Sequence, residues 1–354
     1  MIERILRYCD RAVESGWLIA MASIPLFFNP YSARIFESDK TYILISIALM
    51  MVLFTIPKAA ALWKDKTPNI ALIYLVGIFW AVYLVSSVLS ITPAISLGGF
   101  YLREEGFITL SAYLIIFILI VKYLRGDRQV ERIITTAILT GFVVALYGIF
   151  QRFGVDTVAW ASSTATRVTT TFGNPIFAGA FLIMVIPLVL CRLIAQIRLR
   201  CFSQTAAYGL ILIIQTWCVL ATQSRGPFIG LVAGIFFFAV LYAILNGHKK
   251  LIISTVAVVI LAGVFLLLLN IEGSPLSALK PRLGRLGEIT EAQTGSGKVR
   301  ILIWEGAVSI LKAEPARIFF GHGLETMFPL YHKHIPGSFA RYEGSFAVPD
   351  HSHN

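Results

Sequence analysis

The chain has 354 residues, of which 57% are hydrophobic and only 14% are charged, and its mean hydropathy is +0.78. Soluble domains carry roughly 25% charged residues. This composition therefore excludes an ordinary soluble protein and a disordered chain, and four cysteines exclude a disulfide scaffold. It predicts an all-α polytopic membrane protein. The net charge of +11 does not indicate a nucleic-acid partner here, because basic loops that stay in the cytoplasm explain it first.

Nine apolar segments predict membrane-spanning helices. A helix needs about 20 apolar residues to cross the hydrocarbon core of a bilayer. The predicted spans are residues 15–33, 41–57, 69–90, 106–122, 132–151, 175–192, 206–222, 227–246 and 251–270. We interpret the N-terminal segment as a retained first helix rather than a signal peptide, because no A-x-A-like cleavage site follows it.

The distribution of basic residues predicts the orientation. With a cytoplasmic N-terminus, the inner segments hold fifteen Lys and Arg residues, whereas the four short outer loops hold six. This asymmetry favours an inner N-terminus, and nine spans then place the C-terminal tail outside. The sequence thus predicts a transmembrane domain over residues 1–270 and a periplasmic loop over residues 271–354. The loop ends at His353 and Asn354 without a final helix, so we expect that the chain is truncated.

Two outer clusters combine an arginine with a helix start. Asn174 before Pro175 is typical of a helix N-terminus, and Arg167 lies shortly upstream. Arg225 lies in a very short turn between the seventh and eighth predicted helices, before Pro227. Helix N-termini and arginines on one face predict an anion site. The alternative is that these arginines contact lipid headgroups without a further role.

Two further clusters lie in the tail. Arg300 and Trp304 are four residues apart, so they share a face of a helix predicted from about Val299 to Lys312 at the outer membrane interface. Membrane anchoring is the alternative role for that helix. Five of the six histidines also lie in the tail, and His353 offers an imidazole that titrates near neutral pH. A metal site that uses Asp350 and the tail histidines 332, 334, 351 and 353 is an alternative, but an H-x-H pair alone indicates it only weakly.

These clusters, in this order, resemble the O-antigen ligase superfamily, which includes O-antigen ligases, O-antigen polymerases and bacterial protein O-oligosaccharyltransferases. The resemblance rests on TFGNP at 171–175, SRG at 224–226, Arg300 with Trp304, the stretch from Pro315 to Gly321-His-Gly323, and His353-Asn354. It covers the C-terminal half of the chain, whereas the first 150 residues match only as a set of hydrophobic helices. The helices that follow the His-Asn pair in the family are not in this sequence.

The resemblance implies transfer of a glycan from an undecaprenyl-diphosphate carrier to an acceptor hydroxyl, such as that of lipid A-core, at the periplasmic face of the bacterial inner membrane. Arg225 resembles the family's arginine after the seventh helix, Arg300 resembles its loop arginine, and His353 resembles its catalytic histidine; Arg167 is a looser match. Arginine binds phosphate oxygens bidentately. The sequence contains no D-x-D pair for a divalent ion, so we expect no metal and no cofactor. A neutral His353 is the candidate general base.

Several alternatives remain open. A polymerase or a protein O-oligosaccharyltransferase needs the same donor site and differs only in the acceptor. A transporter of small anions such as bicarbonate belongs to a different class, but it should carry ionisable residues at mid-membrane, and almost every charge in the predicted spans lies at an end. A structural membrane anchor gives no reason for arginines to gather at outer helix starts.

Overall fold

The computed structural model describes residues 2–58, 70–101, 103–156, 158, 166–271, 274, 296–343 and 348–349. Within these ranges all regular secondary structure is helical. The chain forms two compact units. Unit 1 comprises Met1–Ile24, Tyr31–Glu131 and Glu291–Asn354, and unit 2 comprises Pro25–Pro30 and Arg132–Thr290.

A long helix overlaps each of the nine predicted spans. These helices are Ile2–Leu26 (α1), Ser38–Thr55 (α2), Ile70–Val88 (α3), Phe107–Tyr123 (α5), Asp127–Arg152 (α6), Pro175–Arg198 (α7), Phe202–Ala221 (α8), Arg225–Leu245 (α9) and Lys249–Asn270 (α10). The short helix Pro93–Gly98 (α4) follows α3, and short 3-10 turns cover Ile56–Lys58 and Thr170–Phe172. The tail contributes Ser296–Ala313 (α11), Arg317–Phe320 (α12), Met327–Tyr331 (α13) and Ala340–Glu343 (α14).

In the described part of the chain, six helices are long and apolar enough to cross a membrane: α2, α3, α6, α7, α8 and α9. Helix α5 has 17 residues, and the apolar part of α10, Ile252–Phe265, is shorter still. Six charged residues lie from Glu3 to Glu14 in α1, so this helix is not among the six. The helical class is confirmed, whereas the number of nine spans is not.

The first helix differs most from its predicted bounds of 15–33. It begins at Ile2, because its charged first turns are amphipathic: Cys9, Val13 and Trp17 are buried at helical spacing. It ends at Leu26 rather than at the predicted residue 33, and Pro30 disfavours helical backbone at Asn29, so the helix does not continue through this segment.

The core of unit 2 consists of apolar side chains from α6, α7, α8 and α9. Val144, Leu182, Ile186 and Val219 are almost completely buried in it. Other faces of the same helices expose large apolar side chains, such as Ile213, which is 67% exposed. A helix that buries one face and exposes another apolar face suits a bilayer rather than water.

Candidate functional site

A buried glutamine orders the segment that precedes α7. Gln151, at the end of α6, is fully buried, and its Oε1 accepts hydrogen bonds from the backbone N–H groups of Thr169 (3.2 Å) and Thr170 (2.7 Å). Thr170 has a φ of 54°, a left-handed conformation that a β-branched residue rarely adopts. The Thr171 hydroxyl donates to the carbonyl oxygen of Pro25 at 2.6 Å. These contacts hold Thr170 in a left-handed backbone conformation that a threonine would otherwise disfavour.

The Arg167 side chain is fixed on the turn that precedes α9. Its Nε–H donates to the carbonyl oxygen of Thr222 at 3.1 Å, and a terminal N–H donates to the Ser224 hydroxyl at 3.2 Å. The neighbouring Val168 N–H donates to the carbonyl oxygen of Ala221 at 3.2 Å. The structure therefore brings the Arg167 guanidinium next to the residue directly before Arg225.

The starts of α7 and α9 lie side by side at the same end of unit 2. Asn174 caps α7, because its Oδ1 accepts from the N–H of Ile176 at 2.9 Å, and Pro175 is the first helical residue, as predicted. A Cβ on Gly179 would lie 2.5 Å from the Cβ of Pro227, so the two helices touch where only glycine fits. Each helix start carries partial positive charge on its unpaired N–H groups. We call this region the Arg167–Arg225 end of unit 2.

Arg167 and Arg225 lie in a long stretch of sequence without acidic residues. No Asp or Glu occurs between Asp156 and Glu272, and of the basic residues in this stretch Arg167 and Arg225 lie at this end. Asp156 accepts a hydrogen bond from the Tyr147 hydroxyl at 2.8 Å. Two arginines and two helix starts thus lie together at the Arg167–Arg225 end, and the partial positive charge of helix starts is of the sign that suits an anion.

In unit 1, α11 presents Arg300 and Trp304 on one exposed face, as the sequence predicts. The opposite face packs into a small core through Val299, Leu302 and Ile303. The helix is held by Tyr331, whose hydroxyl donates to the carbonyl oxygen of Leu302 at 3.0 Å. Arg300 is therefore exposed on a helix whose position is fixed by its other face.

The Gly321-His322-Gly323 segment packs on the connection between α3 and α5. The Ser90 hydroxyl donates to the carbonyl oxygen of His322 at 2.9 Å, and the Ser96 hydroxyl donates to that of Leu324 at 2.9 Å. Gly323 has a φ of 100°, and a Cβ there would lie 2.3 Å from both hydroxyl oxygens. Both the backbone conformation and the space require glycine at this position.

Glu325 also contacts the connection between α3 and α5 within unit 1, and His322 lines a cavity beside it. The Glu325 carboxylate accepts hydrogen bonds from the backbone N–H groups of Phe100 and Glu105, the latter at 3.0 Å. A cavity of about 390 Å³ is lined here by Tyr83, Ser86 and His322, among others. Burial lowers the pKa of the His322 imidazole, which favours the neutral ring near pH 7.

The sequence-predicted site residues fall into three groups. Arg167 and Arg225 are brought to one end of unit 2, and Arg300 lies on α11 of unit 1. His353 lies outside the described residues, as do Asp350, His351 and Asn354. Among the described residues there is no group of three or more His, Cys, Asp or Glu side chains arranged to hold a metal ion.

Sequence reasoning missed Gln151, Ser90, Ser96 and Glu325. A signal existed for Gln151, because a lone amide in an otherwise apolar span must find buried hydrogen-bond partners. Ser90 and Ser96 gave no signal, since their partners are backbone carbonyls more than 200 positions away in sequence.

The apolar helices and the family comparison together define a helical membrane protein. Residues 208–354 match the family model described as O-Antigen ligase, which confirms the resemblance to the O-antigen ligase superfamily. The match includes Arg225, Arg300 and His353, and Arg167 lies before it. It implies a membrane enzyme of the glycosyltransferase or ligase type, with glycan and lipid-linked substrates. Neither the curated proteins nor the solved structures include a significant match to this chain.

Proposed function

We propose that the protein transfers a glycan from an undecaprenyl-diphosphate carrier to an acceptor hydroxyl at the periplasmic face of the bacterial inner membrane. The observation that carries this proposal is the Arg167 guanidinium, which two hydrogen bonds hold against the turn before Arg225. The adjoining helix starts and the absence of acidic residues from the surrounding sequence also suit an anion. A diphosphate is the anion that an undecaprenyl-diphosphate donor, which the family resemblance implies, would present to such a site.

The reaction places its largest change of charge on the diphosphate. The acceptor oxygen attacks the anomeric carbon, the bond from that carbon to the phosphate oxygen breaks, and the diphosphate leaves as an anion. Arg167 and Arg225 stabilise this charge through the planar donor arrangement of their guanidinium groups. Groups that are already oriented toward developing charge lower the barrier, because little reorganisation remains at the moment of reaction.

The acceptor hydroxyl must also lose a proton. In this proposal the His353 imidazole takes that proton as general base, and direct displacement inverts the configuration at the anomeric carbon. Arg300 supplies a further cation for the donor diphosphate. No step of this reaction uses a metal ion.

The decisive experiment uses the full-length protein in detergent with an undecaprenyl-diphosphate glycan and a lipid A-core acceptor, and it follows the product by gel shift. Arg225→Ala should lower transfer by about 10²–10³-fold, the effect of removing one oriented donor from developing negative charge. Arg225→Lys, which keeps the charge and loses the bidentate fork, should restore only part of the rate. Arg200→Ala is the matched control, because it removes a basic residue from the opposite end of unit 2.

Each outcome of this assay supports a different function of the protein. A shift in the wild type that Arg225→Ala removes supports the ligase. Laddering of the carrier-linked glycan instead supports a polymerase, and transfer only to a protein acceptor supports an O-oligosaccharyltransferase. Full activity of Arg225→Ala would overturn the assignment of the donor site, and anion flux in vesicles without transfer would favour the transporter.

The general base has its own test. His353→Ala should lower transfer by about 10²–10⁴-fold, the usual contribution of a positioned acid or base. The wild-type rate should fall on the acid side as the imidazole becomes protonated, and this fall should be absent from the residual activity of the variant. An unchanged pH profile in His353→Ala would assign the proton transfer to another group.

A further inference from the structure

A groove runs between the C-terminal halves of α7 and α9, at the end of unit 2 opposite to Arg167 and Arg225. It encloses about 490 Å³, which lies within the usual size of a ligand pocket. Its walls are mostly apolar and include Cys191, Ile194, Phe238, Leu241 and Leu245. A surface of this kind on an apolar helix pair suits a hydrocarbon chain.

One basic side chain stands at the mouth of the groove. Arg198 is the last residue of α7, and its terminal nitrogen donates to the Tyr242 hydroxyl at 2.6 Å and to Asn246 Oδ1 at 3.0 Å. Its guanidinium also lies 5.4 Å from the centre of the Tyr242 ring. The side chain remains exposed although α9 holds it in place. A guanidinium that neutral groups hold at the mouth of an apolar groove keeps its charge for an anionic headgroup.

The surrounding sequence is basic as well. Arg200 follows Arg198 closely, and Lys249 and Lys250 begin α10 directly after His248, whose ring lies 6.5 Å from that of Tyr242. No acidic residue occurs in the connections on either side of α8 and α9, which lie within the stretch between Asp156 and Glu272. Clustered basic residues beside a membrane helix attract anionic lipids.

We propose that this groove binds one anionic phospholipid, with a chain along α7 and α9 and its headgroup phosphate at Arg198. Cys191 lies seven residues before Arg198 and therefore about 10 Å deeper along the helix, at a rise of about 1.5 Å per residue. The site is separate from the Arg167–Arg225 end, so it does not depend on the proposed glycan transfer.

Native mass spectrometry of the delipidated full-length protein tests the proposal, with phosphatidylglycerol and phosphatidylcholine as probes. We expect each protein molecule to bind one added phosphatidylglycerol, and to bind phosphatidylcholine about tenfold more weakly because its positively charged choline group repels Arg198. Arg198→Gln should lower the affinity for phosphatidylglycerol by about tenfold, the typical effect of losing a charge-assisted hydrogen bond. Cys191→Phe should lower it too, because the ring fills the groove and leaves Arg198 in place.

Arg200→Gln is the matched control, since it removes the same charge from outside the groove and should bind as the wild type does. Equal losses in Arg198→Gln and Arg200→Gln would show attraction by net charge alone and overturn the site. Equal affinity for the two lipids would overturn it as well.

Thiol labelling locates the bound lipid. Cys191 is exposed, Cys9 and Cys218 are buried, and Cys201→Ser removes the remaining half-buried thiol. In that background phosphatidylglycerol should slow maleimide labelling of Cys191 by about tenfold relative to phosphatidylcholine, and Arg198→Gln should abolish the difference. Labelling that phosphatidylglycerol does not slow would place the lipid elsewhere.

Discussion

Arg34 lies between α1 and α2 and Arg167 lies between α6 and α7, and the structure holds their guanidinium groups in different ways. Arg34 donates to the Glu104 carboxylate at 2.9 Å and to the Ser38 hydroxyl at 3.1 Å, and it lies 3.4 Å from the centre of the Tyr101 ring. Arg167 instead donates to a carbonyl and a hydroxyl oxygen. A carboxylate neutralises the charge of Arg34, whereas these two hydrogen bonds orient the Arg167 guanidinium on the turn before α9. Arg34 is therefore a structural arginine, and Arg167 is a candidate for anion binding because it lies beside the starts of two helices.

The largest expected effect concerns this pair directly. Arg167→Ala should lower glycan transfer by about 10²–10³-fold, because it removes an oriented cation from the proposed diphosphate site. Arg34→Ala should leave the turnover rate nearly unchanged and lower the thermal unfolding temperature, since it removes a partner of Glu104. The gel-shift assay and thermal unfolding in detergent measure the two effects. Equal losses of transfer in both variants would show that Arg34 and Arg167 do not differ in their contribution to the reaction.

A smaller effect is expected from the glutamine that orders the Arg167 segment. Gln151→Leu leaves the N–H groups of Thr169 and Thr170 without their acceptor, so we expect about tenfold slower transfer, equivalent to about 1.4 kcal/mol. The matched control is Gln215→Leu, at a second fully buried glutamine, in α8. Its Oε1 has no hydrogen-bond partner among the described residues, and its Nε2 donates to the carbonyl oxygen of Ile138 at 3.3 Å rather than to the Arg167 segment, so this variant should keep its transfer rate. A greater loss in Gln215→Leu would assign the effect to packing.

Glu104→Gln tests the other side of the comparison. It removes the negative charge beside Arg34 and keeps a hydrogen-bond acceptor of the same shape. We expect a small decrease in the unfolding temperature and no change in transfer rate. A fall in transfer without a fall in stability would show that Arg34 and Glu104 act in the reaction.

The smallest expected effect is that of chelation. If arginines alone neutralise the leaving diphosphate, EDTA should leave the transfer rate unchanged. Loss of activity with EDTA and its recovery with added Mg²⁺ would overturn this part of the mechanism.

The sequence predicts the helices and the capped helix start at the site well, because both depend on residues that are neighbours in sequence. Apolar runs locate the helices, Asn174-Pro175 predicts a capped helix start, and the spacing of Arg300 and Trp304 predicts their common face. The true start of α1 escapes a search for apolar runs, since its first turns are charged and amphipathic.

The tertiary contacts of the site are not predictable in this way. Arg167 and Ser224 are 57 positions apart, and Ser90 and His322 are 232 positions apart. Such contacts depend on how helices pack, which short patterns do not encode. The position of His353 and the number of spans remain predictions.

The contact between Gly179 and Pro227 has a steric consequence. Helices α7 and α9 are in close contact at this point, and a groove lies between their C-terminal halves. The same two helices approach again at Gly230, where an added Cβ would lie 2.7 Å from the Cδ1 atom of Ile183. Two glycines thus let the N-terminal halves of the pair lie against each other, and a side chain at Gly179, which faces the proline ring, would force the two helices apart.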